Sequence, residues 1–153
     1  MKTTKTILVV LLATLVLSSC STDKSMTSKG VNLDKYEYAS VVQARNYFGT
    51  VNDIEIEPGI YDAVEATRLQ MVGERRIQDL TEDQKEKLVL VKYTATSTPE
   101  ESVISISFED YMTGKVVASC RSSNRGSWTR QRDVDKAIKK LSQRIMNIWG
   151  KTK

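Results

Sequence analysis

Residues 88–120, LVLVKYTATSTPEESVISISFEDYMTGKVVASC, decide the fold of this 153-residue chain. Leu88–Thr96 is an apolar run, and Ser102–Glu109 alternates apolar residues with serines, which is typical of a strand with one buried face. After the turn DYMTGK, Val116–Arg121 has the pattern of a third strand. Three strands joined by short turns predict an antiparallel meander that needs a cover on one face.

Two helices are expected to supply that cover. The first is predicted to begin at Pro58, because proline suits the first turn of a helix, and to end at Gly73. The second is Asp133–Gly150. Together with a first strand at Lys35–Gln43, these elements predict an α+β two-layer sandwich with a mostly antiparallel sheet. The apolar stripes are Ile60, Val64, Thr67 and Met71 on the first helix, and Val134, Ala137, Ile138, Leu141, Ile145 and Ile148 on the second.

Two segments between the main elements are less distinctive. Asp53–Glu57 alternates acidic residues with isoleucine, which indicates a short edge strand or a loop leading into the first helix. Three carboxylates on one strand face suggest a cation site, with a solvated strand face as the simpler interpretation. Arg75–Leu80 is predicted as a short strand, and Thr81 to Gln84 match a capping box that opens a brief helix.

The N-terminal residues have the features of an export signal. Lys2 and Lys5 precede Ile7–Leu17, an apolar stretch of about eleven residues, which is too short to cross a bilayer as a helix. The sequence Leu17–Cys20, LSSC, resembles the lipobox of bacterial lipoproteins. The resemblance implies that residues 1–19 are a signal peptide and that Cys20 is lipidated and becomes the N-terminus. A plain secretory signal with an incidental cysteine is the alternative.

Residues 20–33 are predicted to form a flexible tether, because Ser21–Val31 is polar and without periodicity. The predicted organisation is therefore a signal peptide at 1–19, the tether at 20–33 and a single α/β domain at 34–150. Acyl chains on Cys20 would hold the protein permanently at a membrane. Ser21 after the cysteine fits outer-membrane sorting, so the predicted location is the cell envelope, lipid-anchored at the outer membrane.

The hairpin Ile106–Ser119, ISFEDYMTGKVVAS, is similar to a loose group of bacterial envelope domains. The group includes the amino-terminal domain of the Tol translocation protein, the curli secretion lipoprotein and lipoprotein activators of penicillin-binding proteins. The likeness follows the order of elements from Lys35 to Trp149 and is specific only over this hairpin, where an aspartate is followed by Thr-Gly-Lys. It implies a fold and a compartment, and no catalytic residue.

Charge is distributed unevenly along the chain. From Lys115 onward there are eleven lysines and arginines against two aspartates, a balance of +9, whereas residues 20–114 hold ten cations against seventeen carboxylates. Arginines interleaved with an aromatic residue suit the binding of an anionic glycan or an acidic protein. A solvated loop is the alternative interpretation. The candidate binding residues are Arg121, Arg125, Trp128, Arg130 and Arg132.

The composition also narrows the chemistry. The chain has no histidine, which removes the commonest general base near neutral pH and the commonest nitrogen ligand for metals. Cys120 is expected to point inward as a small apolar residue, a reactive or intermolecular thiol being the alternative. No cofactor, metal site or nucleic-acid partner is predicted, and the oligomeric state is left open.

The predicted function is a non-enzymatic binding or accessory role toward another envelope component, either a protein or an anionic glycan. Two alternatives stay open. One is an envelope enzyme that acts on glycans with Asp and Glu as acid and base, although no carboxylate pair in the sequence is better explained by that chemistry than by helix caps and strand faces. The other is a structural lipoprotein that assembles with copies of itself.

Overall fold

The computed structural model describes residues 23–42, 53–98 and 100–152, which form one six-stranded sheet and three α-helices. Short 3-10 turns lie at Leu33–Lys35 and Glu74–Asp79. The helices are α1 (Asp53–Glu65), α2 (Glu82–Lys85) and α3 (Arg130–Trp149). The strands are β1 (Lys24–Thr27), β2 (Tyr38–Val41), β3 (Gln70–Met71), β4 (Leu88–Ser97), β5 (Glu101–Asp110) and β6 (Val116–Arg125).

The strand order across the sheet is β1-β6-β5-β4-β2-β3. The predicted meander is confirmed, because β4, β5 and β6 pair consecutively and antiparallel. The α+β class is likewise confirmed. The predicted sheet of four strands is wrong in detail, since the sheet has six strands and is mixed, with β2 parallel to both β4 and β3. The parallel pairing follows from the connection, because the chain passes through α1 between β2 and β4.

Strand β1 lies within the segment predicted as a flexible tether. It pairs antiparallel with β6 in the register Lys24 opposite Arg121 and Thr27 opposite Ala118. Its four residues are exposed, so the segment carries no apolar alternation that would have indicated a strand. The folded domain therefore begins before the predicted boundary at residue 34.

Helix α1 begins at Asp53, so Pro58 is its sixth residue and does not lie in its first turn. The alternation of acidic residues with isoleucine in Asp53–Glu57 thus belongs to a helix, and the strand face assumed for a cation site does not form. Ile60 and Val64 are buried as predicted. The helix ends before the predicted stop at Gly73, and the expected last member of its stripe, Met71, belongs to β3.

The segment predicted as a strand at Arg75–Leu80 also differs, because it forms the 3-10 turn Glu74–Asp79. The capping box at Thr81 is confirmed. The Thr81 hydroxyl accepts a hydrogen bond from the Gln84 backbone N–H, and the Gln84 side chain accepts one from the Thr81 backbone N–H. This cap explains the acidic residues at the start of α2 by helix initiation.

One apolar core lies between the sheet and the helices α1 and α3. Trp149, the last residue of α3, is 1% exposed and packs against Phe108 with ring centroids 5.1 Å apart. The two helices cover one face of the sheet, and no described helix covers the opposite face of β4, β5 and β6. Helix α3 contributes Val134, Ala137, Leu141, Ile145 and Trp149 to the core.

None of the described helices is long and apolar enough to cross a membrane. The longest, α3, has buried apolar residues on one side and charged residues on the other, as expected of a helix that lies on a sheet.

Candidate functional site

The predicted basic loop is shorter in the structure than in the sequence analysis. Strand β6 extends to Arg125 and helix α3 begins at Arg130, so only residues 126–129 connect them. Arg121 is exposed in the middle of β6, on the sheet face that no helix covers. The other four predicted residues lie where β6 meets α3. The structure therefore separates Arg121 from the rest of the predicted set.

The junction of β6 and α3 is fixed by Asp133, which is 4% exposed. Its carboxylate accepts hydrogen bonds from the Ser127 backbone N–H and the Asn124 side chain. Burial raises the pKa of Asp133, but these hydrogen bonds outweigh burial, so the net effect is a lowered pKa. Around this anchor, Trp128 is 94% exposed, Arg125 pairs with Glu101 at 3.6 Å, and Arg130 and Arg132 are exposed in the first turn of α3.

The uncovered face of the sheet carries a groove of about 500 Å³, which we call the trough. Two cross-strand rows of outward side chains form it. The first row, from β4 to β1, is Thr94, Ser105, Arg121 and Lys24. The second row is Lys92, Ser107, Ser119 and Met26.

The trough results from differences in side-chain length. Ser105, Ser107 and Ser119 make a low floor, and the hydroxyls of these three serines have no hydrogen-bond partner within the described part of the chain. Lys92 on β4 forms one wall, where it pairs with Glu109. Lys24 and Arg121 form the opposite wall. Neighbouring strands lie about 4.8 Å apart, so the outer strands of the trough, β4 and β1, are roughly 14 Å apart.

The wall formed by Lys24 and Arg121 holds two like charges directly opposite each other on adjacent strands. Facing residues on one side of an antiparallel pair have Cβ atoms only about 5 Å apart, and like charges in that position are destabilising. Neither residue has a carboxylate within 4 Å among residues 23–42, 53–98 and 100–152. The trough thus has an uncompensated positive wall.

The sequence analysis found Arg121 but did not find the trough. Lys24 lay in the predicted tether, and the serines of β5 were interpreted only as the solvent face of a strand. The alternation of Ser105 and Ser107 with apolar residues was the available signal. It indicated an outward row of small polar residues, but not which residues border that row.

A second cluster surrounds Asp110 at the end of β5. Its carboxylate accepts hydrogen bonds from Lys35 Nζ at 2.9 Å and Tyr36 Oη at 2.8 Å, and from the backbone N–H and hydroxyl of Thr113 at 2.8 and 2.9 Å. Burial raises the pKa of Asp110, but the hydrogen bonds from these three residues outweigh it and hold the pKa far below its usual value. The ionised carboxylate ties the segment before β2 to the β5–β6 turn.

Cys120 is 2% exposed and points into the core, as predicted. Burial raises the pKa of its thiol to about 12, against a smaller opposing effect of Arg144. A thiol in this environment stays protonated at neutral pH and is a poor nucleophile. Cys120 therefore has the environment of a small apolar core residue.

Asp23 fixes the start of β1 to the domain. Its side chain is 7% exposed, pairs with Arg144 of α3 at 3.3 Å and accepts a hydrogen bond from the Ser123 backbone N–H at 2.9 Å. Cys20, the predicted lipid-attachment residue, lies outside the described residues. Only three residue steps separate it from Asp23 in the sequence.

Comparison with known proteins identifies a fold. No protein-family profile matches the chain, and no curated protein sequence matches it significantly. The chain is similar in structure to PelC from Paraburkholderia phytofirmans, solved as a dodecamer, with a TM-score of 0.54 and 14% identity over 82% of this chain and 96% of that one. A single-substitution variant of the same PelC, also a dodecamer, gives a TM-score of 0.55 and 15% identity over 81% and 98%.

Proposed function

We propose that this chain is a lipoprotein, anchored through Cys20 in the bacterial cell envelope, that acts by binding another envelope component on the open face of its sheet. The observation that carries the proposal is the trough, a recessed surface with free hydroxyls and an uncompensated positive wall. Hydroxyl and cationic groups on a rigid sheet suit the recognition of a polar, anionic partner.

Two described aspartates have shifted pKa values, and the direction of the shift favours binding over catalysis. Asp110 and Asp133 have lowered pKa values, the opposite direction from the raised pKa that a general acid needs near neutral pH. Both are engaged as hydrogen-bond acceptors that hold chain segments together. An envelope glycan-acting enzyme would need a carboxylate that stays available to its substrate.

Anchoring at Cys20 has a definite geometric consequence. Because Asp23 is fixed to β6 and α3, a fully extended chain from Cys20 reaches at most about 11 Å before it meets the domain. A lipid on Cys20 therefore holds the domain close to the membrane surface, and the outer membrane is part of the proposal. The resemblance of the hairpin to envelope domains and the lipobox of the sequence both support this location.

Cys20→Ala is expected to abolish lipidation. Labelled palmitate should be incorporated into the natural protein and not into the variant, because the proposed diacylglyceryl group is joined to the thiol of this cysteine. Cys120→Ala is the matched control, since its buried thiol is not available for acylation. Equal label in the Cys20→Ala variant and the natural protein would contradict the anchor.

A photo-crosslinking residue at Ser107 is expected to capture a different envelope component in living cells. Ser107 lies on the floor of the trough, so a bound partner covers it. The same residue introduced at Lys139, which is exposed on α3, is the control and should give no specific product. No product at Ser107 in cells that make the partner would contradict binding on this face.

Self-assembly is a second candidate function. The observation in its favour is that the PelC chains with a similar fold are dodecamers. Within the described residues the sheet ends in β1 on one side and in β3 on the other, and a head-to-tail contact between two different edges closes into a ring when the rotation permits. Crosslinks from Ser107 only to further copies of this chain, with a multimer mass in solution, would favour this candidate over the first.

A further inference from the structure

We infer that the trough binds an acidic glycan, with a sugar carboxylate held between Lys24 and Arg121 and sugar hydroxyls bonded to the serine floor. The inference rests on the proposed function and names the chemical class of its partner. It follows from three features of the described surface: the paired cations, the free hydroxyls and the position of the trough on a sheet face.

The paired cations specify a negative charge. Lys24 and Arg121 face each other across β1 and β6 without a described carboxylate nearby, so an anion that lies between them relieves their repulsion. An arginine presents a planar fork that matches a carboxylate with two parallel hydrogen bonds, and the adjacent ammonium adds a second charge. The other cation of the trough, Lys92, already pairs with Glu109 and leaves the positive charge concentrated on one wall.

The floor specifies a ligand rich in hydroxyl groups. Ser105, Ser107 and Ser119 present hydroxyls that both donate and accept hydrogen bonds. The aliphatic stems of Lys92 and Lys24 and the side chain of Met26 border the floor and provide apolar contact for the C–H faces of sugar rings. A volume of about 500 Å³ lies within the range of sites for molecules of oligosaccharide-fragment size.

The position of the trough disfavours an acidic peptide. Extended peptides commonly bind by adding a strand to a free sheet edge, where unpaired backbone groups are available. The floor of the trough belongs to β5 and β6, which are each paired on both sides, so it offers side chains only. A glycan needs no backbone partner, because its hydroxyls bond to the side chains directly.

The test uses calorimetric titration of the full mature chain with tetragalacturonate and, as a matched neutral probe, with its methyl ester. The acid is expected to bind, and the ester at least about tenfold more weakly, because it loses the charge-assisted hydrogen bonds. Binding of the acid should weaken as salt rises, since the contacts are exposed to solvent. Equal binding of acid and ester, or no binding of either, would overturn the inference.

Variants locate the site. Lys24→Gln and Arg121→Gln are each expected to weaken binding of the acid about tenfold, and Arg121→Lys to recover part of the loss because it keeps the charge without the fork. Lys139→Gln removes one charge from α3, away from the trough, and should change binding by less than about twofold. Equal losses from Lys139→Gln and Arg121→Gln would overturn the assignment by showing a diffuse electrostatic attraction.

Ser107→Ala removes one hydroxyl from the floor without a change of charge and is expected to weaken binding of the acid about fivefold. If that variant does not fold, the result for Lys24→Gln decides whether the trough is the binding site. Lys24 is exposed on an edge strand, so its substitution should not unfold the domain. Stronger capture of hexaglutamate than of tetragalacturonate would overturn the glycan in favour of an acidic protein segment. A protein that binds neither probe and still crosslinks to an envelope component at Ser107 overturns this inference and leaves the proposed function intact.

Discussion

Asp110→Ala is expected to lower the free energy of unfolding by about 2–3 kcal/mol, because the substitution removes the acceptor of a buried tyrosine hydroxyl and the partner of a half-exposed lysine. The carboxylate is the shared acceptor for Lys35, Tyr36 and Thr113, and Tyr36 is itself 1% exposed. Its loss leaves the buried Tyr36 hydroxyl without a described partner, which carries a desolvation cost of its own. Chemical denaturation of the two proteins measures the difference.

Glu100→Ala is the control for this substitution. Glu100 is exposed and its side chain has no ion pair among the described residues, so its removal should change the free energy of unfolding by less than about 0.5 kcal/mol. A similar small change for Asp110→Ala would show that the cluster does not tie the segment before β2 to the hairpin.

The same residue predicts how stability depends on pH. Hydrogen bonds from Lys35, Tyr36 and Thr113 lower the folded-state pKa of Asp110 despite its burial, whereas in the unfolded chain the group titrates near 3.9. Its contribution is therefore present above about pH 4 and is lost as the pH falls from there toward the folded pKa. The stability difference between the natural protein and Asp110→Asn should shrink over that acidic range, and a constant difference would contradict the network.

The meander was predictable because the residues that define it are close together in the sequence. Alternation with period two along β5 defines its buried face, and the short turns on either side make β4 and β6 its neighbours in the sheet. The structure adds one detail that this pattern does not contain. A register irregularity lies between Phe108 and Glu109, next to the cluster of Asp110.

The parallel strands were not predictable in the same way. Tyr38–Val41 pairs with residues fifty positions away, across a connection that includes α1, and the pattern of β2 alone does not indicate its direction. The start of α1 was predicted at Pro58 and lies at Asp53. The prediction was wrong because a proline inside a helix costs one backbone hydrogen bond, so a proline usually indicates the first turn. In both cases tertiary packing outweighed the local signal.

The candidate site was only partly predictable for a related reason. Arg121 stood out as one of several arginines, but its facing partner Lys24 lies 97 positions earlier in a polar segment without periodicity. Only the antiparallel register of β1 and β6 brings the two together. The predicted cluster with Trp128 and Arg130 assumed a loop, but β6 extends to Arg125, so those two residues lie after the end of the strand that carries Arg121.

Trp149→Ala is expected to lower the free energy of unfolding by about 3–5 kcal/mol, the cost of removing a large aromatic residue from a packed core. Trp149 is 1% exposed and contacts Phe108 on β5 and Tyr36, with the Tyr36 ring edge-on at 6.0 Å between centroids. Its indole N–H has no described hydrogen-bond partner, so the loss is one of packing and not of a hydrogen bond. Thermal and denaturant unfolding of the variant measure it.

The chain supplies its own control for this prediction, because its other tryptophan, Trp128, is 94% exposed. Trp128→Ala should change the free energy of unfolding by less than about 0.5 kcal/mol. Each variant also keeps a single tryptophan whose fluorescence reports its environment, so Trp149 in the Trp128→Ala protein should be shielded from an aqueous quencher until the domain unfolds. Equal losses of stability from the two substitutions, or free quenching of Trp149 in the folded protein, would show that α3 does not close the core at this end of the sheet.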